Sequence, residues 1–356
     1  MIALPQASIA TPPTPRVLGG RSRVVAVWLF VVAALVYLLV VVGGATRLTG
    51  SGLSITEWKP IAGVLPPLSD AAWAAAFRRY QASSQYLLIN QGIDLPHFQF
   101  LFWWEWGHRL LGRTVGLVFA APFVLLLLSR RIPARLVGRC WALLALGGLQ
   151  GLVGWWMVES GLEGRAAVAP ERLTTHLGLA LALLAALVWT GAEAWSGEKR
   201  AGCERRDTWP LASATLAVGI YCQCLLGALV AGNGGGKVDI DWPLMGGQVA
   251  PEDYWRGDLL ATMTHSPPAV QFNHRLLAYG LLALAVTLLA RGLRSPPPRG
   301  VLSLAVVVLV LLGLQATLGV ATLMTGDGLA LALAHQANAA ILLTAAVLLA
   351  WRARRA

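Results

Sequence analysis

The sequence predicts an all-α membrane protein: eight transmembrane helices forming two pseudo-symmetric four-helix bundles, with both termini cytoplasmic. Three observations predict it. Of 356 residues, 56% are hydrophobic and 13% charged, where a soluble chain carries about a quarter charged. The apolar residues come in blocks of about 20, the number that crosses a hydrocarbon layer of about 30 Å at about 1.5 Å per residue. Phrases of the first half also return, in order, in the second.

In chain order, residues 1–23 open with "MIALPQASIATPPTP", a polar, proline-rich stretch read as disordered and cytoplasmic. The first apolar block, 24–44, follows Arg16, Arg21 and Arg23 as a signal peptide would, but its apolar core is too long. "GGATRLTGSG" is also a poor cleavage site, so the block is read as a retained helix. The segment 45–103 contains "SDAAWAAAFRRYQ", where Ser69 or Asp70 can cap a short amphipathic helix able to lie as a lid on the outer surface. Blocks 104–128, 137–158 and 174–196 complete an N-terminal bundle, 24–196. A charged linker, 197–208, leads to the C-terminal bundle, 209–356, with blocks at 209–231, 270–293, 301–324 and 333–353. The Gly- and Asp-rich segment 232–269 is read as irregular.

The repeat is explicit. "EWGHRLLGR" (105–113) returns as "QFNHRLLAY" (271–279), and "GLQGLVG" (148–154) as "GLQATLG" (313–319). "TTHLGLALALLAALVW" is matched by "LAHQANAAILLTAAVLLAW", and "VVVGGATRLTGSG" by "ALVAGNGGG". Both copies begin on the same side, so they are parallel repeats about an axis along the membrane normal.

A net charge of +11 raises nucleic acid as a partner, but the positions of the positives argue for topology. With the N-terminus inside, seventeen of the 28 Lys and Arg fall on the inner side, eight outside and three within helix starts, as the positive-inside rule requires. Of the cysteines, Cys140 and Cys203 fall on the reducing side. Cys222 and Cys224, two apart in a helix, face different directions and are read as helix-wall residues.

Four of the six histidines, His108, His176, His274 and His335, stand near the starts of the even-numbered spans, in the outer leaflet. Each half thus offers two imidazoles at similar depth, a set suited to a porphyrin whose iron takes two axial histidines. Ionisable groups inside a membrane are rare and usually functional. Helix N-termini and the nearby Arg47, Arg109, Arg113 and Arg275 are candidates for holding propionates. His97 and His265 occur in loop contexts. Glu105 precedes His108 by three residues, on one helical face, and Gln271 has the same offset from His274. Two like sites that differ at a carboxyl group suit an enzyme with one reactive site and one supporting site; the alternative for Glu105 is an ion pair with Arg109 or Arg113. Gln150 and Gln315 are read as interhelical hydrogen-bonding groups, and Trp103, Trp104, Trp106, Trp155 and Trp156 as an interfacial belt.

"GGATRLTGSGLSITEWKPIAGVLPP", "EWGHRLLGR", "THLGLA", "FNHRLLA" and "AHQANA" together resemble heme A synthase, in its mitochondrial and proteobacterial branch, over residues 24–353. The resemblance implies an eight-helix oxidoreductase that turns a ring methyl of heme O into a formyl group by successive hydroxylation, giving heme A for cytochrome oxidase assembly. It implies heme O or heme A at His108 and His176, heme b at His274 and His335, and the essential acid at Glu105. Heme O synthase and an electron donor such as ferredoxin are the implied partners, with self-association within the membrane also open. The cysteine pair that some bacterial members carry in the first outer segment is missing from 45–103. No Arg- and Ser-rich leader precedes the first block, so the expected location is a bacterial inner membrane, with the heme sites toward the periplasm. A two-heme electron-transfer cytochrome of quinol oxidoreductase type is the alternative function, and a transporter built on parallel repeats is a third.

Overall fold

A computed structural model of the chain describes residues 22–59, 61–162, 164–197, 208–252, 254, 257–298, 300–326 and 328–355. The expected N-terminal coil, except for its last two residues, lies outside the described residues, as do Cys203 and nearly all of the linker. The helices are α1 (Arg23–Leu48), α2 (Asp70–Gln81), α3 (Ser84–Leu88), α4 (Leu95–Leu128), α5 (Ala134–Leu162), α6 (Pro170–Ser196), α7 (Trp209–Gly232), α8 (Leu259–His265), α9 (Pro267–Arg294), α10 (Val301–Met324) and α11 (Leu329–Arg355). Eight of them, all but α2, α3 and α8, are long and apolar enough to cross a membrane.

Each predicted apolar block is a helix, but several helices start earlier than their apolar content does. Helix α4 begins at Leu95 rather than near 104, because Asp94 accepts a 2.9 Å hydrogen bond from the His97 N–H and Pro96 occupies the first turn. Helices α6, α7 and α9 likewise carry proline in the first turn. Proline supplies a helical φ there and lacks an N–H that would otherwise go unpaired. Such signals are polar or neutral, so hydropathy does not register them. His97 is therefore an exposed residue of the first turn of α4 and His265 the last residue of α8, where the sequence suggested loops for both. His265 Nε2 lies 3.6 Å from Glu171.

With 34 residues, α4 is about 51 Å long and outreaches a hydrocarbon layer of about 30 Å. Its extra turns carry an aromatic cluster. Phe98 and Tyr80 are fully buried, and ring centroids lie 5.1 Å apart for Phe77–Phe98, 5.2 Å for Tyr80–Phe98 and 5.0 Å for Trp73–Phe102. Helix α2 is the amphipathic helix expected from 69–81. Ser69 caps it at 3.2 Å from the Ala72 N–H, Asp70 lies in its first turn, and Arg78 and Arg79 lie in its last. Those charges complement the helix dipole. Its apolar face is spent on α4. Burial pushes the Tyr80 phenol above its ordinary pKa, while its oxygen donates to Gln85 at 3.0 Å and accepts from Asn90 at 2.6 Å. Gln85 in turn donates to the Gly50 carbonyl at 2.9 Å, tying this cap to the end of α1.

Within the membrane portion, α1 packs on α4 and α6, and α5 on α4 and α6. In the same way α7 packs on α9 and α11, and α10 on α9 and α11. Helices α1, α6, α7 and α11 meet in the middle, around Leu29, Leu184, Leu187, Leu216, Ile220 and Leu343. Polar contacts join the two sets: Gln336 Nε2 donates to the Val40 carbonyl at 2.8 Å, Tyr221 Oη to the Gly178 carbonyl at 3.1 Å, and the Arg47 guanidinium to the Ala231 carbonyl. A Cβ on Gly44 would run into the Gln336 carboxamide, so Gln336 reaches the Val40 carbonyl past a residue that has no side chain.

Candidate functional site

Helices α4, α6, α9 and α11 all start at the end of the bundle that carries the long connecting segments. His176, His274 and His335 each lie about two turns inside their helix, and His108 lies further from the start of the longer α4. Every one of these rings rests on a glycine of the preceding spanning helix. A Cβ would stand 2.8 Å from His108 Cε1 at Gly43, 2.9 Å from His176 Cε1 at Gly154, 3.1 Å from His274 Cε1 at Gly227 and 2.9 Å from His335 Cε1 at Gly319. Real Cβ contacts are almost never closer than 3.0 Å. Four helix pairs thus use one device, in which an absent side chain seats an imidazole.

Three of the rings also meet a glutamine one turn from their glycine. Gln150 Nε2 is 3.2 Å from His176 Nδ1 and 2.9 Å from the His176 carbonyl. Gln223 Nε2 is 3.1 Å from His274 Nδ1 and 2.9 Å from the His274 carbonyl. Gln315 Nε2 lies 3.2 Å from both ring nitrogens of His335 and is itself held by Asn338, whose Nδ2 donates to Gln315 Oε1 at 2.7 Å. Interhelical bonding by Gln150 and Gln315 was legible in the sequence; that the partners are the histidines was not. Gln223 went unnoticed between Cys222 and Cys224, as did the four glycines. The signal was there: Q-x-x-x-G occurs in α5, α7 and α10 at the same offset.

The spacing of the C-terminal pair can be compared with what a shared metal would need. His274 and His335 have ring centroids 6.4 Å apart, the separation expected when one metal binds both at about 2 Å each. His108 and His176 also lie within electrostatic reach of each other. Among the described residues, no cluster of three or more His, Cys, Asp and Glu side chains could hold a metal. Two imidazoles without a third protein ligand suit an iron whose other positions a macrocycle fills. The cysteines fit no such role: Cys140 is buried, Cys222 exposed and Cys224 half-buried, and all three are free.

Glu105 and Gln271 are both buried, each 3% exposed, and both fasten a connecting segment. The Glu105 carboxylate accepts from Ser54 Oγ and the Ile55 N–H at 2.8 Å each, and from Arg109 Nη2 at 2.6 Å and Nε at 3.1 Å. Gln271 Nε2 instead donates to the Gly235 and Val238 carbonyls, both at 2.7 Å. The segment at the first site thus presents donors and that at the second acceptors, and carboxylate against amide matches each. Arg109 donates further to the Ile55 and Glu57 carbonyls at 2.8 and 3.1 Å. Arg275 donates to Asp239, Asp241 and Leu244 carbonyls at 2.8–3.0 Å. Arg113 donates to the Lys59 carbonyl at 3.1 Å. The ion pair considered for Glu105 is present, with Arg109 as the partner. Four of the five N–H groups of Arg109 are thereby used, which limits what it can offer a propionate.

The model of the family described as "Cytochrome oxidase assembly protein" matches residues 26–347. A heme A synthase of Caulobacter vibrioides is 55% identical over 339 residues, covering 95% of this chain and 98% of that protein. Heme A synthases of Maricaulis maris and Paracoccus denitrificans are each 44% identical, over 94% and 91% of this chain and 98% and 86% of theirs.

Proposed function

This chain belongs to the cytochrome oxidase assembly protein family, and from that premise we propose that it is a multi-pass membrane oxidoreductase converting heme O to heme A. Near full-length identity to heme A synthases supports the activity. The pairing of His274 with His335 at 6.4 Å is the observation that carries the site assignment.

In this reading His108 and His176 hold the substrate porphyrin, while His274 and His335 hold a resident heme b. Bound heme b supplies a one-electron relay; the chain's own groups position, shield and exchange protons. Glu105 sits one helical turn from His108 and is the acid group of the substrate site, its carboxylate oriented by Arg109, Ser54 and Ile55. Both connecting segments, held by Glu105–Arg109 and Gln271–Arg275, cover the open ends of the helices and keep water from the rings. Arg47, Arg109, Arg113 and Arg275 bring positive charge to that end, where propionates are best accommodated. The two bundles, 24–196 and 209–356, are the two site-bearing units, as the helix packing supports. The bias of Lys and Arg supports an inner-membrane protein with its heme sites toward the periplasm. Heme O arrives from a heme O synthase, and a one-electron carrier such as ferredoxin supplies the reducing equivalents.

The test is extraction of pigments from cells expressing the chain with and without a supply of heme O. Mass analysis should find heme A only when both are present. Heme O recovered unchanged beside a heme-loaded protein would leave the two-heme cytochrome as the better reading.

A further inference from the structure

Deeper in the bundles than the imidazoles, the two halves are filled differently. On α5 the face turned to α6 runs through Cys140, Leu143, Gly147, Gln150 and Gly154, spaced three or four residues apart. Cys140 and Leu143, at its deep end, are buried, while Gln150 and Gly154 meet His176. Between these pairs, a Cβ on Gly147 would find nothing within 4 Å. The matching face of α10 runs through Ala305, Val308, Leu312, Gln315 and Gly319. It has no such gap, because the Leu312 side chain is buried in the core. The exchange recurs on α4. A Cβ on Gly116 would also meet nothing within 4 Å, whereas its counterpart in α9, Leu282, packs on the core. A polar difference accompanies the gap. Gln315 Oε1 accepts from Asn338, but the residue matching Asn338 in the first half is Leu179, and Gln150 Oε1 is buried without a partner.

Resting on the heme assignment above, we propose that Gly147 and Gly116 open a groove for the isoprenoid chain of heme O, with Gln150 Oε1 accepting from the hydroxyl at the base of that chain. This substituent is what distinguishes heme O from heme b. It is a long apolar chain that begins at a hydroxyl-bearing carbon, where heme b has a vinyl group. Gly147 lies seven residues, about 10 Å, deeper along α5 than the glycine that seats His176. Propionates held at the outer end turn the opposite edge of a porphyrin toward that depth. Gln150 stands between the two levels, and the hydroxyl supplies the donor that its buried oxygen lacks. An apolar chain in the gap is removed from water, which favours binding in proportion to the area buried. Leu312 and Leu282 fill the matching positions of the other bundle and leave no such room. Gly147 and Gly116 seat neither imidazole, so the choice of porphyrin is made apart from the ligands and from Glu105.

The experiment uses the full chain, purified with its C-terminal site loaded. Heme O and heme b are titrated separately into the remaining site, followed by absorbance. Wild type should bind heme O the more tightly. Gly147→Leu should weaken heme O about 50-fold, the loss of roughly three buried methylene groups, and heme b by no more than about threefold. Gly116→Leu should act in the same direction. Leu312→Gly is the reciprocal variant and keeps the proposal testable if the leucine variants fail to accumulate. Produced in cells that make heme O, it should yield heme O from its C-terminal site, where wild type yields heme b. Equal weakening of both hemes in Gly147→Leu, as a displaced His176 ring would cause, overturns the proposal. So does an unchanged heme O affinity, the result if a lipid acyl chain fills the groove, or heme b alone in Leu312→Gly. Wild type that binds neither heme at His108 and His176 would instead overturn the heme assignment beneath it.

Discussion

A methyl group on Gly319 would stand 2.9 Å from His335 Cε1, and one on Gly154 equally close to His176 Cε1. An alanine at either position must shift the ring from its seat, at a cost of about 1–3 kcal/mol for overpacking. Gly319→Ala is therefore expected to remove heme b absorbance while leaving substrate binding at the other site, and Gly154→Ala to do the reverse. Heme content and reduced-minus-oxidised spectra check both, and two variants that lose the same heme would break the assignment of pairs to sites. At Glu105, Arg109 holds Oε1 while Ser54 Oγ and the Ile55 N–H hold Oε2, so the proton exchange proposed for it requires one of these contacts to open. Glu105→Gln keeps the shape but cannot exchange a proton. Heme A formation should fall by about 10²–10⁴-fold, the range for a general acid–base group, with heme b retained. Unchanged heme A yield would reduce Glu105 to a clamp for residues 54–55.

Among the elements, α2 owes its place to α4's extension rather than to a membrane surface. Phe98 is fully buried at the centre of the rings of Phe77, Tyr80 and Trp73. Removing a buried phenylalanine costs about 3–5 kcal/mol, and here that loss falls on one cap. Phe98→Ala should release α2 and α3 with the eight spanning helices intact. Hydrogen exchange should show lost protection confined to residues 70–88; loss spread through α1 and α6 would mean that the cap and bundle fold as one unit. The second connecting segment is held by a different means. Asp241 accepts from the Gly246 and Gly247 N–H groups at 2.7 and 3.0 Å, chiefly the Gly247 contact drawing its carboxyl below the ordinary range, and Arg275 gathers three carbonyls of the same segment.

For the molecule as a whole, eight helices are long and apolar enough to cross a membrane, and the topology proposed above puts the described parts of 49–94 and 233–266 together on the outer side. Single cysteines introduced in those two segments should react with a membrane-impermeant maleimide from the periplasmic side, and one introduced after Met324 should do so as well. Labelling of 49–94 and 233–266 from opposite sides would end the parallel-repeat topology. The eight apolar spans and the placing of four histidines on helices were legible because hydropathy is a local property and one helical turn fixes which neighbours share a face. The family resemblance was legible because its motifs are contiguous. What sequence did not disclose depends on how neighbouring helices are rotated against each other. Gly43 finds His108, Gln223 finds His274 and Gln336 finds Val40 only once close packing has set each helix about its axis. Composition and order thus determined that this chain carries eight helices long and apolar enough to cross a membrane, with two pairs of histidines among them. Tertiary packing alone decided that each ring would rest on a glycine, that three would meet an amide, and that His108 would not.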